Sequence, residues 1–342
     1  MKNFNLFSPT DYRYSIQDLK DFLSEEAFTK YKIKVEIAII KTFAKYKLCS
    51  DDIVHDVQNI LDKISTDEIY NKEQKLKHEI QALVQLIKSK VHDKAKPYIH
   101  LTATSHDIIN IANALRYKHA IKKIILPDMI RLEKIWIKLA REEKNTLQIG
   151  RTHGQHAEPI TFGFFIAQYV DRWGIRILKL KEYIDNLSGK FNGAVGAYNA
   201  LSLILEDPKE FEADLLKELG LNPVKISSQI IPPEQMTDVI HYIISSWGIL
   251  ANYADDMRHL QRSEIGEIME QFDKDQIGSS TMPHKRNPIN FENIKSSWKK
   301  FMPNMITIYM NQISEHQGDL TNSLSQRYIP ELIVMFSSSV KR

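Results

Sequence analysis

The sequence predicts an all-α protein: a long-helix bundle domain with a smaller helical domain on its N-terminal side. Two apolar stripes and one absence carry this expectation. Phe162, Phe165, Ile166, Tyr169, Trp173, Ile177, Leu180, Ile184 and Leu187 hold one face at helical spacing through many turns. Met236, Val239, Ile240, Ile243, Ile244 and Trp247 begin a second stripe that runs on through Leu250, Met257 and Leu260. Periodicity of that length, without caps inside it, belongs to bundles. No run alternates convincingly between apolar and polar residues, as a half-buried strand would. Trp and Phe on several sides of these helices predict burial by neighbours, other subunits included.

Residues 1–94 read as the smaller N-terminal domain and 95–342 as the long-helix domain. The soft boundary lies near Lys94-Ala95-Lys96-Pro97, where charged helical sequence gives way to a histidine-bearing loop. His78-Glu79 falls mid-helix in the first part. In the second, a helix covers 108–115, and Leu132, Ile135, Trp136 and Leu139 mark the next apolar face. Gly193-Ala194-Val195-Gly196 lacks the spacing and the preceding strand of a nucleotide-binding loop, and reads as a tight turn with close backbone packing. Asp207-Pro208-Lys209-Glu210 is a helix start: a capping Asp, Pro in the first turn, Glu three residues on. A last amphipathic helix spans 329–340, with no closing pattern after it; a segment that would cover it is expected to be missing.

Composition narrows the function. Of 342 residues, 43% are apolar and 26% charged, as in an ordinary globular protein, and a net charge of +3 points to neither nucleic acid nor membrane as partner. The single cysteine, Cys49, excludes an internal disulfide framework and a cysteine-based zinc site. The N-terminus has no apolar signal core and no apolar run is long enough to span a bilayer, so a cytoplasmic protein is expected.

Three polar clusters remain, separated by long helices. Gly278-Ser-Ser-Thr-Met-Pro-His-Lys-Arg-Asn-Pro288 is broken by prolines yet holds two serines, an imidazole, two cations and a carboxamide. It is either a solvated linker or a catalytic loop held by rigid helices. Arg151-Thr-His153-Gly-Gln-His156-Ala-Glu158-Pro159 puts two histidines near a helix start, suited to proton transfer or to a capping role. Metal binding by His153 and His156 is the alternative, though no HExxH pattern accompanies them. His100-Leu-Thr102-Ala-Thr104-Ser105-His106-Asp107 precedes a helix, where Thr104 and Ser105 form an anion site, an N-cap at Ser105 or Asp107, or both. A helix of about 30 residues is about 45 Å long. Clusters at opposite ends of such helices meet only if subunits pack antiparallel, which predicts a shared active site.

These motifs resemble the fumarase/aspartase superfamily. GSSTMPHKRNP (278–288) is similar to its signature loop, RTHGQHAEPITFG (151–163) to its second region in the adenylosuccinate lyase form, and HLTATSHD (100–107) to its first. Arg13-Tyr14, Ser227-Ser-Gln229 and Ser323-Leu-Ser-Gln-Arg327 look like the same branch, and the resemblance spans nearly the whole chain. It implies an all-helical homotetramer whose active sites draw on three subunits. It implies β-elimination of fumarate from adenylosuccinate, giving AMP, and from SAICAR, giving AICAR, with no metal or organic cofactor. By resemblance Ser279 is the general base and His153 the general acid, with Ser280 the second choice for the base. Lys285 and Asn287 stabilise the aci-carboxylate, and His78 supports the acid and binds phosphate. Thr104, Ser105 and Gln229 hold the succinyl carboxylates; Arg13, Tyr14, Ser323 and Arg327 hold the phosphate. His100, Thr152 and Met282 complete the substrate contacts. Three departures stand out. Glu79 replaces the usual Asp, Thr102 replaces a usual Gly, and the usual third helical domain is expected to be absent. The runner-up readings are 3-carboxy-cis,cis-muconate lactonizing enzyme, whose loop is nearly the same, and an inert truncated scaffold. Argininosuccinate lyase, aspartase and fumarase usually carry Gln or Gly where His284 stands.

Overall fold

The computed structural model describes residues 5–342. Its N-terminal part holds α1 (Pro9–Tyr12), α2 (Lys20–Leu23), α3 (Glu25–Lys45), α4 (Asp51–Gln58), α5 (Thr66–Leu76) and α6 (Glu79–Ser89). Then come α7 (Ser105–Ala120), a π-helical segment (Ile121–Ile125) and α8 (Leu126–Glu142), which together form one uninterrupted run. At 1.5 Å per residue this run is about 57 Å long. The widened π turn stands immediately before Pro127. A proline inside a helix has no N–H to give and crowds the carbonyl four residues back, and one wide turn accommodates both.

Next follow β1 (Leu147–Thr152), β2 (Gln155–Thr161) and α9 (Phe162–Asp185). The remaining elements are β3 (Ser188–Gly189), α10 (Pro208–Glu218), β4 (Asn222–Pro223), α11 (Glu234–Leu260), α12 (Ile289–Phe301), α13 (Asn304–Met310), α14 (Ser323–Arg327) and α15 (Ile329–Lys341). The Asp207 carboxylate accepts from the N–H groups of Lys209 and Glu210, as its sequence predicts. The all-α expectation holds for the frame, with two small two-stranded pairings added: antiparallel β1–β2 and parallel β3–β4.

The core of the bundle is aromatic. Trp136 of α8 meets Trp173 of α9 edge-on at 5.7 Å between centroids, and Trp173 meets Phe336 of α15 at 6.4 Å. Phe336 then leads to Trp247 of α11, which stacks on Phe301 of α12 at 5.6 Å. The stripes read from the sequence therefore face one another. Gly163 is needed at the α8–α9 junction because a Cβ there would overlap the Ala140 carbonyl oxygen. The expectation that α15 lacks a cover is corrected: Leu332, Ile333 and Phe336 are buried by α8, α11 and α12 of the same chain. No helix among the described residues is long and apolar enough to cross a membrane.

Candidate active site

The two-residue turn of the β1–β2 hairpin is His153-Gly154, with Thr152 opposite Gln155. Both turn residues have positive φ, 54° and 74°. That pair is the signature of a type I′ turn, whose twist matches the strands it joins. Arg151 to Glu158 was expected near a helix start and is instead this hairpin; the helix begins at Phe162, capped by the Thr161 hydroxyl at 3.1 Å from the Phe164 N–H. An uneven register between Ile149 and Arg151 breaks the alternation that sequence inspection relies on. The turn holds His153 out in solvent beside Thr152 and His156. Glu267 fastens the hairpin to the segment after α11, taking Arg151 at 2.5 Å and Gln148 at 3.0 Å. The Arg151 hydrogen bond holds the Glu267 carboxyl below its ordinary pKa.

The 278–288 loop lies at the same end of the bundle and is closed on itself. The Asn287 carboxamide donates to the Gly278 carbonyl at 2.7 Å across the neck. A Cβ on Gly278 would overlap the Lys285 carbonyl oxygen, so only glycine fits there. The Gln261 side chain ties the Glu270 N–H at 2.9 Å to the Arg286 carbonyl at 3.2 Å. The Glu270 carboxylate accepts from the N–H of Asn290 at 3.1 Å, which fixes the exit of the loop into α12. Inside the loop the Ser279 Oγ accepts two backbone N–H bonds, from Thr281 at 3.2 Å and Met282 at 3.1 Å. Donors aimed at a hydroxyl oxygen favour its deprotonated form. Among the described residues Ser280 has no such pair, and its hydroxyl meets only Thr281, at 3.4 Å. Lys285 is exposed and makes no ion pair among the described residues. A cleft bounded by Arg151, Thr152, Gly154, Asp256, His259 and Arg262 adjoins a second, where His259 and Arg262 face His284, Lys285 and Asn287.

The first region stands at the opposite end of the long run. Thr104 is the N-cap of α7, and Asp107 reaches back to its N–H at 2.8 Å. This corrects the N-cap expected at Ser105 or Asp107 by one to three positions and leaves the Ser105 hydroxyl without a protein partner among the described residues. Asp107 is buried and paired with buried Lys190, which also donates to the Gly193 carbonyl at 3.1 Å. Asn192 donates to Ser227 Oγ at 2.7 Å, and the Gln229 N–H to the Gln317 carbonyl at 2.9 Å. Gly196 lies against the Ser227 carbonyl, which bears out the close backbone packing read from its motif. Thr102, where the resemblance has Gly, adopts φ 61° with its hydroxyl buried and unpartnered among the described residues. His100 also has φ 61°, and its N–H and Nδ1 both bond the fully buried Glu36, at 3.1 and 2.7 Å.

His78 is not mid-helix. Lys77 ends α5 in the left-handed conformation at φ 54°, and His78 caps α6, its Nδ1 accepting from the Gln81 N–H at 3.2 Å. Glu79, next along, binds buried Lys32 and, at 3.2 Å, Arg327. Arg327 and Ser323 share one face of α14, four residues apart. Tyr14 accepts from Asn293 at 3.2 Å, while Glu331 takes Ser8 and Thr10 at 3.1 and 2.9 Å, laying α1 with Arg13 across α12 and α15.

So one chain brings His153, Thr152, Ser279, Met282, Lys285 and Asn287 to one end and keeps His100, Thr104, Ser105 and Gln229 at the other. Lys32, Glu36, Gln261 and Glu270 were not read as site residues in the sequence. Their signal was available for α3 alone: charges at positions where the helix is otherwise apolar. Among the described residues, no group of three or more His, Cys, Asp or Glu side chains is placed to hold a metal ion.

A family model described as "Lyase" matches residues 1–302. The adenylosuccinate lyase of Archaeoglobus fulgidus is 35% identical over 322 residues, covering 93% of this chain and 70% of that protein. The adenylosuccinate lyase of Aquifex aeolicus is 36% identical over 325 residues, covering 93% and 71%. The crystal structure of 3-carboxy-cis,cis-muconate lactonizing enzyme from Pseudomonas putida superposes with a TM-score of 0.86 at 22% identity, covering 96% of this chain and 74% of that one, which speaks to fold alone.

Proposed function

The chain belongs to the adenylosuccinate lyase family, and from that premise we propose that it eliminates fumarate from adenylosuccinate, giving AMP, and from SAICAR, giving AICAR. The carrying observation is the Ser279 hydroxyl with two backbone N–H donors on it, in a loop that also presents an unpaired Lys285. A serine is a weak base in water, and its alkoxide needs such donors and a nearby cation to form. Ser279 takes the proton from the carbon beside the succinyl carboxylate. The electron pair left behind spreads into that carboxylate, where Lys285 meets the added charge. As the C–N bond breaks, His153 gives a proton to the departing nitrogen, and the pair becomes the double bond of fumarate. Asn287 gives one of its two amide N–H groups to the Gly278 carbonyl, holding the loop closed, and with the other joins Lys285 at the aci-carboxylate. Thr104, Ser105 and Gln229 hold succinyl carboxylates, with His100, Thr152 and Met282 as further contacts. Arg13, Tyr14, Ser323, Arg327 and His78 serve the phosphate.

The active site in this reading is assembled from several copies in a homotetramer. Support comes from the about 57 Å run that separates His100 and Ser105 from His153. It also comes from apolar side chains left exposed on α9 and α13, such as Phe164, Leu178 and Met310. The test is the ultraviolet change on adding adenylosuccinate, with AMP and fumarate as the expected products. No conversion by a folded, tetrameric protein would overturn the reading, and conversion of 3-carboxy-cis,cis-muconate instead would favour the lactonizing enzyme. Ser279→Ala and His153→Ala are each expected to lower turnover by about three orders of magnitude without dissociating the assembly.

A further inference from the structure

Two charges sit where helix α3 is otherwise apolar. Lys32 is 1% exposed and Glu36 fully buried, one turn apart on the same face. They do not pair with each other. Lys32 binds Glu79 and lies 3.9 Å from Glu25, while Glu36 is bonded only by His100 among the described residues. We propose that Lys32 and Glu36 are positioning residues for the anion-binding face of the active site, Glu36 acting through His100 and Lys32 acting through Glu79 on Arg327. The inference rests on the lyase reading above for the identity of the anion.

The Glu36 arm follows from burial. A carboxylate without water needs donors, and here they are the His100 N–H and its ring Nδ1. With Nδ1 as the donor of that bond, Nε2 is the nitrogen left to meet a ligand. The same backbone bond holds His100 in the left-handed region, a conformation that a side-chain-bearing residue otherwise avoids. The Lys32 arm is a chain of alternating charge. Glu79 gives one oxygen to Lys32 and the other to Arg327. Burial alone would raise the Glu79 pKa, but Lys32 and then Arg327 outweigh it and keep the carboxylate ionised. An ionised Glu79 locks one edge of the planar guanidinium, and the rest of Arg327, more than half exposed, is left to grip phosphate. Two groups expected to meet substrate are thus aimed from one buried helix face that never reaches it.

Kinetics of Glu36→Gln and Lys32→Met with adenylosuccinate test this. The expected result is a KM raised about tenfold or more, kcat within about threefold of wild type, and product inhibition weakened by the same factor: by AMP in Lys32→Met, whose Arg327 serves the phosphate, and by fumarate in Glu36→Gln, whose His100 stands with the succinyl-binding residues. A purely structural role would instead lower the active fraction, and so kcat, at constant KM; folded variants with wild-type KM overturn the proposal. Nitrogen-15 spectra of the wild-type imidazoles, assigned with His100→Asn, give a check that needs no Glu36 variant. A protonated Nδ1 is expected, and a bare Nδ1 with Nε2 protonated overturns the Glu36 arm. If wild-type protein fails to convert adenylosuccinate, the lyase reading falls, while the spectra still decide the Glu36 arm and AMP binding the Lys32 arm.

Discussion

Backbone conformation decides several residue roles here that side-chain chemistry alone leaves open. Thr102 is β-branched yet sits at φ 61° with a buried hydroxyl, unpartnered among the described residues. A left-handed conformation costs such a residue about 1–2 kcal/mol, and Gly removes that strain while adding flexibility to the unfolded chain. Thr102→Gly is therefore expected to stabilise the protein by about 1 kcal/mol, raising the thermal midpoint by about 2 °C in scanning calorimetry. An unchanged or lower midpoint would show that the strain is relieved elsewhere. Gly278 presents the opposite case. A Cβ there overlaps the Lys285 carbonyl, so Gly278→Ala must open the neck that Asn287 closes. An expected loss of about a hundredfold in kcat/KM, with the thermal midpoint nearly unmoved, follows from displacing Ser279 by about 1 Å. Full activity in Gly278→Ala would mean that the closed loop is not the working form.

At the level of elements, ion pairs tie helices together beside the apolar core, and one of them involves groups read as meeting substrate. Glu79 joins α3, α6 and α14 through Lys32 and Arg327. Its folded pKa lies below the ordinary 4.5, the burial that raises it being outweighed by these two cations. A depressed carboxyl pKa contributes stability that is present above the unfolded value and is lost as pH falls through the folded one. The urea midpoint of the wild type should thus fall more steeply than that of Glu79→Gln between about pH 5 and pH 3. Parallel slopes would show that the tie contributes nothing to folding. The π-helical turn before Pro127 and the His153-Gly154 turn are the other element-scale devices. One keeps a long helix continuous past a proline, and the other carries His153 beyond the end of the bundle on a short, twisted ribbon.

For the whole molecule, the arrangement of ends matters most. If Ser279 and His153 of one site come from different copies, mixing Ser279→Ala with His153→Ala subunits creates intact sites by assortment. Equal mixing is expected to restore about a quarter of wild-type turnover, read by the same ultraviolet assay after subunit exchange is shown by mass. Mixtures that exchange fully and stay inactive would place both groups on one chain. The particle mass should be about four times the 39.8 kDa chain in sedimentation velocity. A monomer with activity would remove the shared site altogether.

By itself the sequence determined the helical frame and the three chemical clusters. Apolar spacing reports which side of a helix is buried, and the residues of 100–107, 151–163 and 278–288 are contiguous, so their chemistry is visible without folding. The aromatic stripes of α9 and α11, the capping Asp207 and the tight turn at Gly193–Gly196 all follow from local rules. Tertiary structure alone decided the rest, because it turns on φ values and on partners distant in sequence. The hairpin under His153 is not legible in the sequence, since its turn needs two positive φ angles and its register slips between Ile149 and Arg151. His78 became a cap because Lys77 adopts a left-handed conformation that no pattern announces. Glu36 and Lys32 gained their roles from His100 and Glu79, which lie 64 and 47 residues away and are brought beside α3 only by packing.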